Sequence, residues 1–307
     1  MQENILYERI ELRFGYEVLE VDICGGERID FPFYLIIPID FLYYMGDDMP
    51  RAYIYLLGGN ERYSAENVLF RRMIEHAGDE DARVVIIPTA SSQPESTADF
   101  FRRFFRKLGA SYVGVLWILS EKDTSNREYL RELEDATCIF FTGGDQERIV
   151  KVIRKSEVHD VLLNKLDDDI VIGGTSAGAM ALADICIVDS RNMGLEQGDV
   201  EWEYGLDLVH GVIIDTHFIE RNRFWRLSQM VSRFPENVGI GIAEDTGVIY
   251  DTHRREFEVI GSSYVTVIEP PNYVRFIGNK IEGREYRISI LADGAIFKVG
   301  RSSKVFF

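Results

Sequence analysis

From Tyr53 onward the chain repeats one rhythm: a short continuous apolar run, a glycine-rich break, then apolar positions at helical spacing. YIYLL runs into Gly58-Gly59-Asn60 and is followed by Val68, Leu69, Met73 and Ile74 on one helix face. RVVIIPTAS predicts a second strand, Ser96 to Leu108 a helix with its arginines towards solvent, and Tyr112 to Leu119 a third strand. The helical pattern EYLRELEDA precedes CIFFTGGDQ, a strand ending in paired glycines, Gly143 and Gly144, with a helix from Glu147 towards Arg154. Unbroken apolar strands that alternate with helices are the mark of a parallel sheet covered on both faces. The pattern therefore predicts an α/β fold: a three-layer α/β/α sandwich around a mostly parallel sheet.

The rhythm continues through Ile170 to Ile172, a strand that turns at Ser176 into a small apolar run, Ala177 to Ala183, predicted as a helix. Cys186-Ile187-Val188 comes next, and the polar stretch Asp189 to Tyr204 is expected as a loop over the site. Val212 to Ile214 predicts a strand with Asp215-Thr216-His217 just past its end and a helix from Glu220 to Phe234. GIGIAEDTGVIYD is expected as one further strand. Both flanks show period-two alternation instead. Ile10, Leu12 and Phe14, then Val18, Leu19 and Val21, read as short strands, with a turn at Gly46-Asp47-Asp48. Glu256 to Val259, Tyr264 to Val267 and Arg287 to Leu291 do likewise, parted by turns at Pro270-Pro271 and Gly294. The expected division is an N-terminal β extension over residues 1–50, an α/β core over 51–268 and a C-terminal β segment over 269–307.

Composition narrows the function. With 307 residues, 46% of them hydrophobic, the chain has ample material for a large core. A formal net charge of −17 would repel a phosphate backbone, which argues against a nucleic-acid partner. Cys24, Cys138 and Cys186 are odd in number and far apart, mostly within apolar runs, so buried thiols are expected rather than disulfides or metal ligands. No phosphate-binding loop or zinc-type spacing occurs, and neither a cofactor nor a metal is expected. MQENILYERIELRF lacks the basic and apolar regions of a signal peptide. The most apolar window, Phe31 to Met45, is broken by Pro32, Pro38 and Asp40 and is too short to cross a membrane, so the expected location is cytoplasmic.

The chemistry concentrates in IVIGGTSAGAMALAD. Gly174, Ser176 and Gly178 make a G-x-S-x-G turn, which exposes a serine oxygen between a strand and a helix as a nucleophile elbow does. The plainer reading is a serine that caps the helix. A serine nucleophile needs a base, and the base an orienting acid. Of five histidines, His76 and His159 sit in helical stretches and read as solvated, His253 in a turn, and His210 at the start of a strand. His217 alone follows a buried strand within a polar cluster. For the acid, Asp215, Glu244 and Asp245 compete; Glu244, expected at the end of the next strand, is favoured over Asp215, which is close to His217 in sequence. Oxyanion donors would be the N–H of Ala177 and one from the loop at Gly144. Arg221, Arg223 and Arg226, clustered in an acidic chain, suggest an anionic or carboxylate-rich substrate, although each could simply pair with Glu220 and nearby acids. The order Ser, His, Glu differs from that of the α/β-hydrolases.

GGTSAGAMAL, TGGDQ, IDTHFIERNRFWRL and GIGIAED together resemble the cyanophycinase branch of the serine peptidases related to aspartyl dipeptidase, whose fold is akin to the class I glutamine amidotransferases. The likeness runs from about Tyr53 to Ile268. It implies Ser176 as nucleophile, His217 as base and Glu244 as third member, with Gln146, Asp215, Thr216, Arg221, Arg223 and Arg226 lining the substrate site. It further implies a homodimer and hydrolysis of cyanophycin, an aspartate backbone bearing arginine on each β-carboxyl, to β-Asp-Arg dipeptides. Thr216 stands where the family would place a glutamine, and Ala243 where an acid is common. These departures motivate an alternative substrate class, aspartyl or isoaspartyl dipeptides. A non-catalytic binding protein of the same fold is the third reading, and it requires Ser176 to lack a base within about 3.5 Å.

Overall fold

The computed structural model describes residues 7–14, 17–24, 51–64, 67–191, 196–300 and 303–307, the first two segments by backbone alone. The chain divides into two compact units, Met1–Asp48 and Met49–Phe307. In the first, β1 (Tyr7–Phe14) and β2 (Glu17–Cys24) pair antiparallel, with Ile10 opposite Val21 and Leu12 opposite Leu19. The turn expected at Gly46-Asp47-Asp48 lies outside the described residues.

In the second unit the apolar runs form β3 (Ala52–Leu57), β4 (Arg83–Ile87), β5 (Tyr112–Val115), β6 (Cys138–Phe141) and β7 (Ile170–Thr175). They are parallel in the order β3-β7-β6-β4-β5. Alternate side chains of each strand feed two apolar layers, which is why the runs are continuous. On one face α1 (Val68–His76) and α2 (Pro94–Lys107) bury Leu69, Phe70, Phe101 and Phe105 with Tyr55, Val84, Ile86 and Phe140. On the other, α3 (Arg127–Glu134), α4 (Gln146–Ile153), α5 (Glu157–Asn164) and α6 (Ala177–Ala181) bury Leu130, Ile149, Leu162 and Met180 with Ile54, Val85, Ile139 and Ile172. This is the expected three-layer α/β arrangement. Polar residues start the helices where the sequence places them: the Asn126 side chain accepts from the Glu128 N–H, and that of Asp145 from the Glu147 N–H. Cys138 and Cys186 are free and buried, and burial pushes both thiols up, Cys138 to about 12.

The second half of the chain departs from a single sheet. Beyond β3 the sheet continues antiparallel through β12 (Thr246–Asp251), β13 (Glu256–Gly261), β18 (Ile296–Val299) and β19 (Val305–Phe306). A separate six-stranded sheet runs in the order β17 (Ile288–Leu291), β14 (Val265–Ile268), β11 (Val238–Ile242), β10 (Val209–Asp215), β8 (Ala183–Ser190) and β9 (Val200–Tyr204). A small hairpin, β15 (Tyr273–Ile277) and β16 (Lys280–Arg284), completes the strands described. GIGIAEDTGVIYD is therefore two strands in two sheets, with Ala243-Glu244-Asp245 as the crossing and Asp245 at φ 51°. An unbroken apolar pattern does not reveal a change of pairing partner.

Other boundaries differ. The strand expected from Tyr112 to Leu119 ends at Val115. The helix after Ser176 ends at Ala181, because Ala183 already pairs with Val209. The expected loop from Asp189 contains β9, which pairs back onto β8; residues 192–195 lie outside the description. The helix expected from Glu220 begins at Phe224 as α7 (Phe224–Arg233), after turns in which His217 and Asn222 have positive φ. Among the described residues no helix is long and apolar enough to cross a membrane.

The aromatic layer under α2 makes a stability prediction. The Phe140 ring is fully buried, with centroids of Phe101 and Phe105 at 4.9 and 5.1 Å. Phe140→Ala should cost about 3–5 kcal/mol of unfolding free energy, read from urea midpoints; a loss below about 1 kcal/mol would mean that the layer repacks.

Candidate functional site

β7 delivers Ser176 to the carboxyl end of the parallel sheet, the edge where α/β proteins bind ligands. Ser176 has φ 51° and ψ −114°, a conformation that costs energy for a residue with a side chain. The motif glycines enforce it. A Cβ on Gly174 would lie 2.4 Å from the carbonyl carbon of Gly178, and one on Gly178 would lie 2.4 Å from the carbonyl oxygen of Phe141. Ala177 begins α6, where the backbone N–H has no partner within the helix. At the end of β6, Gly143 packs against Ser176, since a Cβ there would sit 3.4 Å from the Cβ of Ser176. Gly144, at φ 141°, fits against the Ala90 carbonyl.

His217 follows β10 and meets the serine: Ser176 Oγ lies 2.8 Å from His217 Nε2. The other ring nitrogen, Nδ1, lies 2.7 Å from Glu244 Oε1, and Asn60 Nδ2 donates to Glu244 Oε2 at 2.7 Å. These bonds to His217 and Asn60 hold the Glu244 carboxyl below the usual carboxylate range. An ionised carboxylate only accepts, so Nδ1 carries the imidazole hydrogen and Nε2 accepts from the serine hydroxyl. Room for the ring comes from Gly59, at φ 96°, where a Cβ would lie 2.3 Å from His217 Cε1.

The competing residues are engaged elsewhere. His76 is half-buried rather than solvated: it bonds Tyr55 Oη at 2.9 Å and stacks on Tyr53, and burial pushes its pKa down. His159 is also buried, and its ring nitrogens bond the Leu206 carbonyl and the Lys155 N–H. His210 pairs with Asp207, and His253 is exposed in a turn. Burial alone would raise Asp245, but bonds from the Arg62 N–H, Ser262 and the Arg62 guanidinium hold it low.

Asp215 is fully buried and serves the arginines. It accepts from Arg226 Nε at 2.6 Å, from Arg226 Nη2 and from Arg223 Nη1 at 3.2 Å. Arg223 also donates to the Thr216 carbonyl at 2.7 Å; burial pushes this guanidinium down to about 10 against the pull of Asp215. Thr216 is itself fully buried, so it and Asp215 stand behind the surface that a ligand would touch. Arg221, Arg223 and Arg226 line a cleft of about 340 Å³ with Asp189, Ser190 and Asn222. Gln146 donates its amide to the carbonyls of Ile187 and Val188, tying α4 to β8. Among the described residues no group of three or more His, Cys, Asp or Glu side chains is placed to hold a metal ion.

The model of Peptidase family S51 matches residues 54–257. The chain belongs to peptidase family S51. A cyanophycinase of Geminocystis herdmanii is 32% identical over 225 residues, 71% of this chain and 81% of that protein. One of Synechococcus elongatus is 28% identical over 257 residues, 81% of this chain and 80% of its own. The crystal structure of a peptidase from an acI-B1 Actinobacterium superposes with a TM-score of 0.59 at 20% identity, covering 80% of this chain and 99% of that one, a likeness of fold. The S51 chain is accordingly a serine-type peptidase, a hydrolase.

Two residues of this S51 peptidase escaped the reading of the sequence. Asn60 looked like part of a turn, yet its amide holds Glu244. Glu61, 3% exposed, accepts from the Gly59 N–H and the Thr175 hydroxyl; burial pushes its carboxyl up, and these bonds oppose the shift. The GGNE tetrapeptide beside a strand end was the available signal.

Two predictions follow from the charges. Asp215→Ala leaves the Arg223 and Arg226 guanidinium groups buried without their counter-ion and should cost about 3–5 kcal/mol in urea unfolding; a cost below about 1 kcal/mol would contradict the pairing. Glu244 has a folded pKa below its unfolded one, so the stability it adds is present above the ordinary carboxylate range and is lost as pH falls through the lowered value. The stability difference between wild type and Glu244→Gln should therefore shrink between about pH 7 and about pH 3, and a difference that widens on acidification would refute the assignment.

Proposed function

We propose that this S51 peptidase is a cyanophycinase-type serine exopeptidase that releases β-Asp-Arg dipeptides through Ser176, His217 and Glu244. The observation that carries the reading is the continuous chain Ser176 Oγ, His217 Nε2, His217 Nδ1, Glu244 Oε1, with contacts of 2.8 and 2.7 Å. It speaks against a binding protein that kept only the fold.

In the proposed reaction His217 Nε2 takes the hydroxyl proton as Ser176 Oγ attacks the scissile carbonyl carbon. The ionised Glu244 stabilises the imidazolium through Nδ1–H. The negative oxygen of the tetrahedral intermediate is met by backbone donors, the Ala177 N–H and one from the Gly143-Gly144 loop. Collapse breaks the C–N bond, and Nε2–H gives its proton to the departing amine. A water molecule, deprotonated by the same nitrogen, then hydrolyses the acyl-enzyme ester and restores the serine. The cleft lined by the arginines that follow His217 in the chain offers guanidinium groups for the substrate's carboxylates, with Asp189 for one of its guanidinium groups. Relatives with 28–32% identity that are cyanophycinases support the choice of polymer.

Three arginines to one acid in that cleft also favour a second reading, hydrolysis of aspartyl or isoaspartyl dipeptides. Incubation with cyanophycin and with a panel of such dipeptides separates the two. The expected result is release of β-Asp-Arg by the wild type, with losses of about 10⁴- to 10⁶-fold in Ser176→Ala, His217→Ala and Glu244→Gln. Undiminished release by Ser176→Ala would refute the mechanism, and turnover of dipeptides alone would select the second substrate class.

A further inference from the structure

We infer that Glu61 is a positioning residue for the Ser176–His217–Glu244 relay, clamping the loop after β3 to the residue that precedes the serine. The inference rests on the reading of that relay as catalytic.

A carboxyl group is expensive to bury, so its surroundings must compensate. Glu61 is 3% exposed, and three groups donate to it. The Gly59 N–H reaches Oε1 at 2.8 Å, the Thr175 hydroxyl spans Oε1 and Oε2 at 2.8 and 2.9 Å, and the Tyr63 hydroxyl reaches Oε2 at 3.0 Å. Tyr63 is anchored in turn: its ring meets Phe100 edge-on at 4.9 Å and Phe104 at 5.5 Å. Burial pushes its phenol up, which keeps the O–H available as a donor.

What Glu61 ties together touches every member of the relay. The loop it holds carries Gly59, whose missing side chain makes room for the imidazole, and Asn60, whose amide fixes Glu244. The Gly58 carbonyl takes the His217 N–H, and the Gly59 carbonyl takes the Asp245 N–H next to Glu244. Thr175, at the other end of the clamp, is bonded directly to Ser176 through the chain. Gly59, Asn60 and Ser176 all have positive φ, and such conformations persist where neighbouring bonds over-determine them. Glutamine at position 61 keeps the volume but replaces one acceptor oxygen with N–H2 and removes the charge, so the Thr175 and Tyr63 hydroxyls can no longer both donate into the clamp as they do now.

The test compares Glu61→Gln, Thr175→Val, Thr175→Ser, the Glu61→Gln/Thr175→Val double variant and Ser176→Ala. Hydrolysis of cyanophycin is followed beside labelling of Ser176 by diisopropyl fluorophosphate, which reads the same geometry without a peptide. Glu61→Gln and Thr175→Val should each lower kcat and the labelling rate about 10²-fold with KM little changed. The double variant should lose no more than the worse single one, since both break one unit. Thr175→Ser, which keeps the hydroxyl, should lose far less than Thr175→Val. If Glu61→Gln does not fold, Thr175→Val and Thr175→Ser carry the comparison. A folded Glu61→Gln with kcat within about threefold of wild type, a loss confined to KM, or additive losses would overturn the inference. Activity retained by Ser176→Ala would instead remove the reading beneath it, whereas an inactive Ser176→Ala beside a fully active Glu61→Gln would defeat the clamp alone.

Discussion

Three consecutive carbonyls at the end of β3 act as the jig for the site. Leu57 accepts the Ser176 N–H at 3.0 Å, Gly58 the His217 N–H at 2.8 Å and Gly59 the Asp245 N–H at 3.1 Å. Each donor belongs to a turn after a different strand, and each turn brings one member of the relay or its immediate neighbour. A main-chain bond fixes a position more tightly than a long side chain does, so the relay inherits its registry from one short backbone segment. The positive φ values at Ser176, His217 and Asp245 are held against these same carbonyls. Small residues are required where the turns converge: a Cβ on Gly58 would lie 1.9 Å from the Ala243 carbonyl oxygen.

Charge is handled in two ways around this jig. The chain carries a net −17, yet the segment after His217 concentrates arginines. Two of them are committed to a fully buried carboxylate, Asp215, and so become a rigid wall of the cleft rather than mobile surface groups. Arg221 remains exposed on the same cleft. A guanidinium has more donors than one carboxylate can accept, so an arginine can be held from behind and still offer N–H groups forward. Asp215 therefore faces the cleft through the arginines it orients.

Much of the fold was legible because both faces of the parallel sheet are buried. The runs YIYLL, RVVII and CIFF could be read as strands, and the glycine pairs after the first and third as the edge at which side chains meet. The elbow was legible in part because Gly174 answers to the backbone of Gly178 four residues on, whereas Gly178 answers to the Phe141 carbonyl on the neighbouring strand. Where reading failed, the deciding contact was distant. GIGIAEDTGVIYD looks continuous, yet Val238 to Ile242 pair with β10 and Thr246 to Asp251 with β3. His76 and His159 looked solvated in their helices, and only the strands and turns packed against those helices supply Tyr55 and the Leu206 carbonyl.

The sequence by itself determined the α/β rhythm, the tight serine turn and the set of side chains able to do acid–base chemistry, because local sterics and the periodicity of burial leave their marks along the chain. Tertiary structure brought the favoured His217 to the serine and the favoured Glu244 to the imidazole, committed Asp215 to the arginines, and buried Glu61 beside Thr175. The contacts that assemble the site are 27 positions apart for His217 with Glu244, 41 for Ser176 with His217, 114 for Glu61 with Thr175 and 184 for Asn60 with Glu244. Separations of that size are set by strand order and sheet crossing, for which a linear pattern of apolar and polar positions has no term.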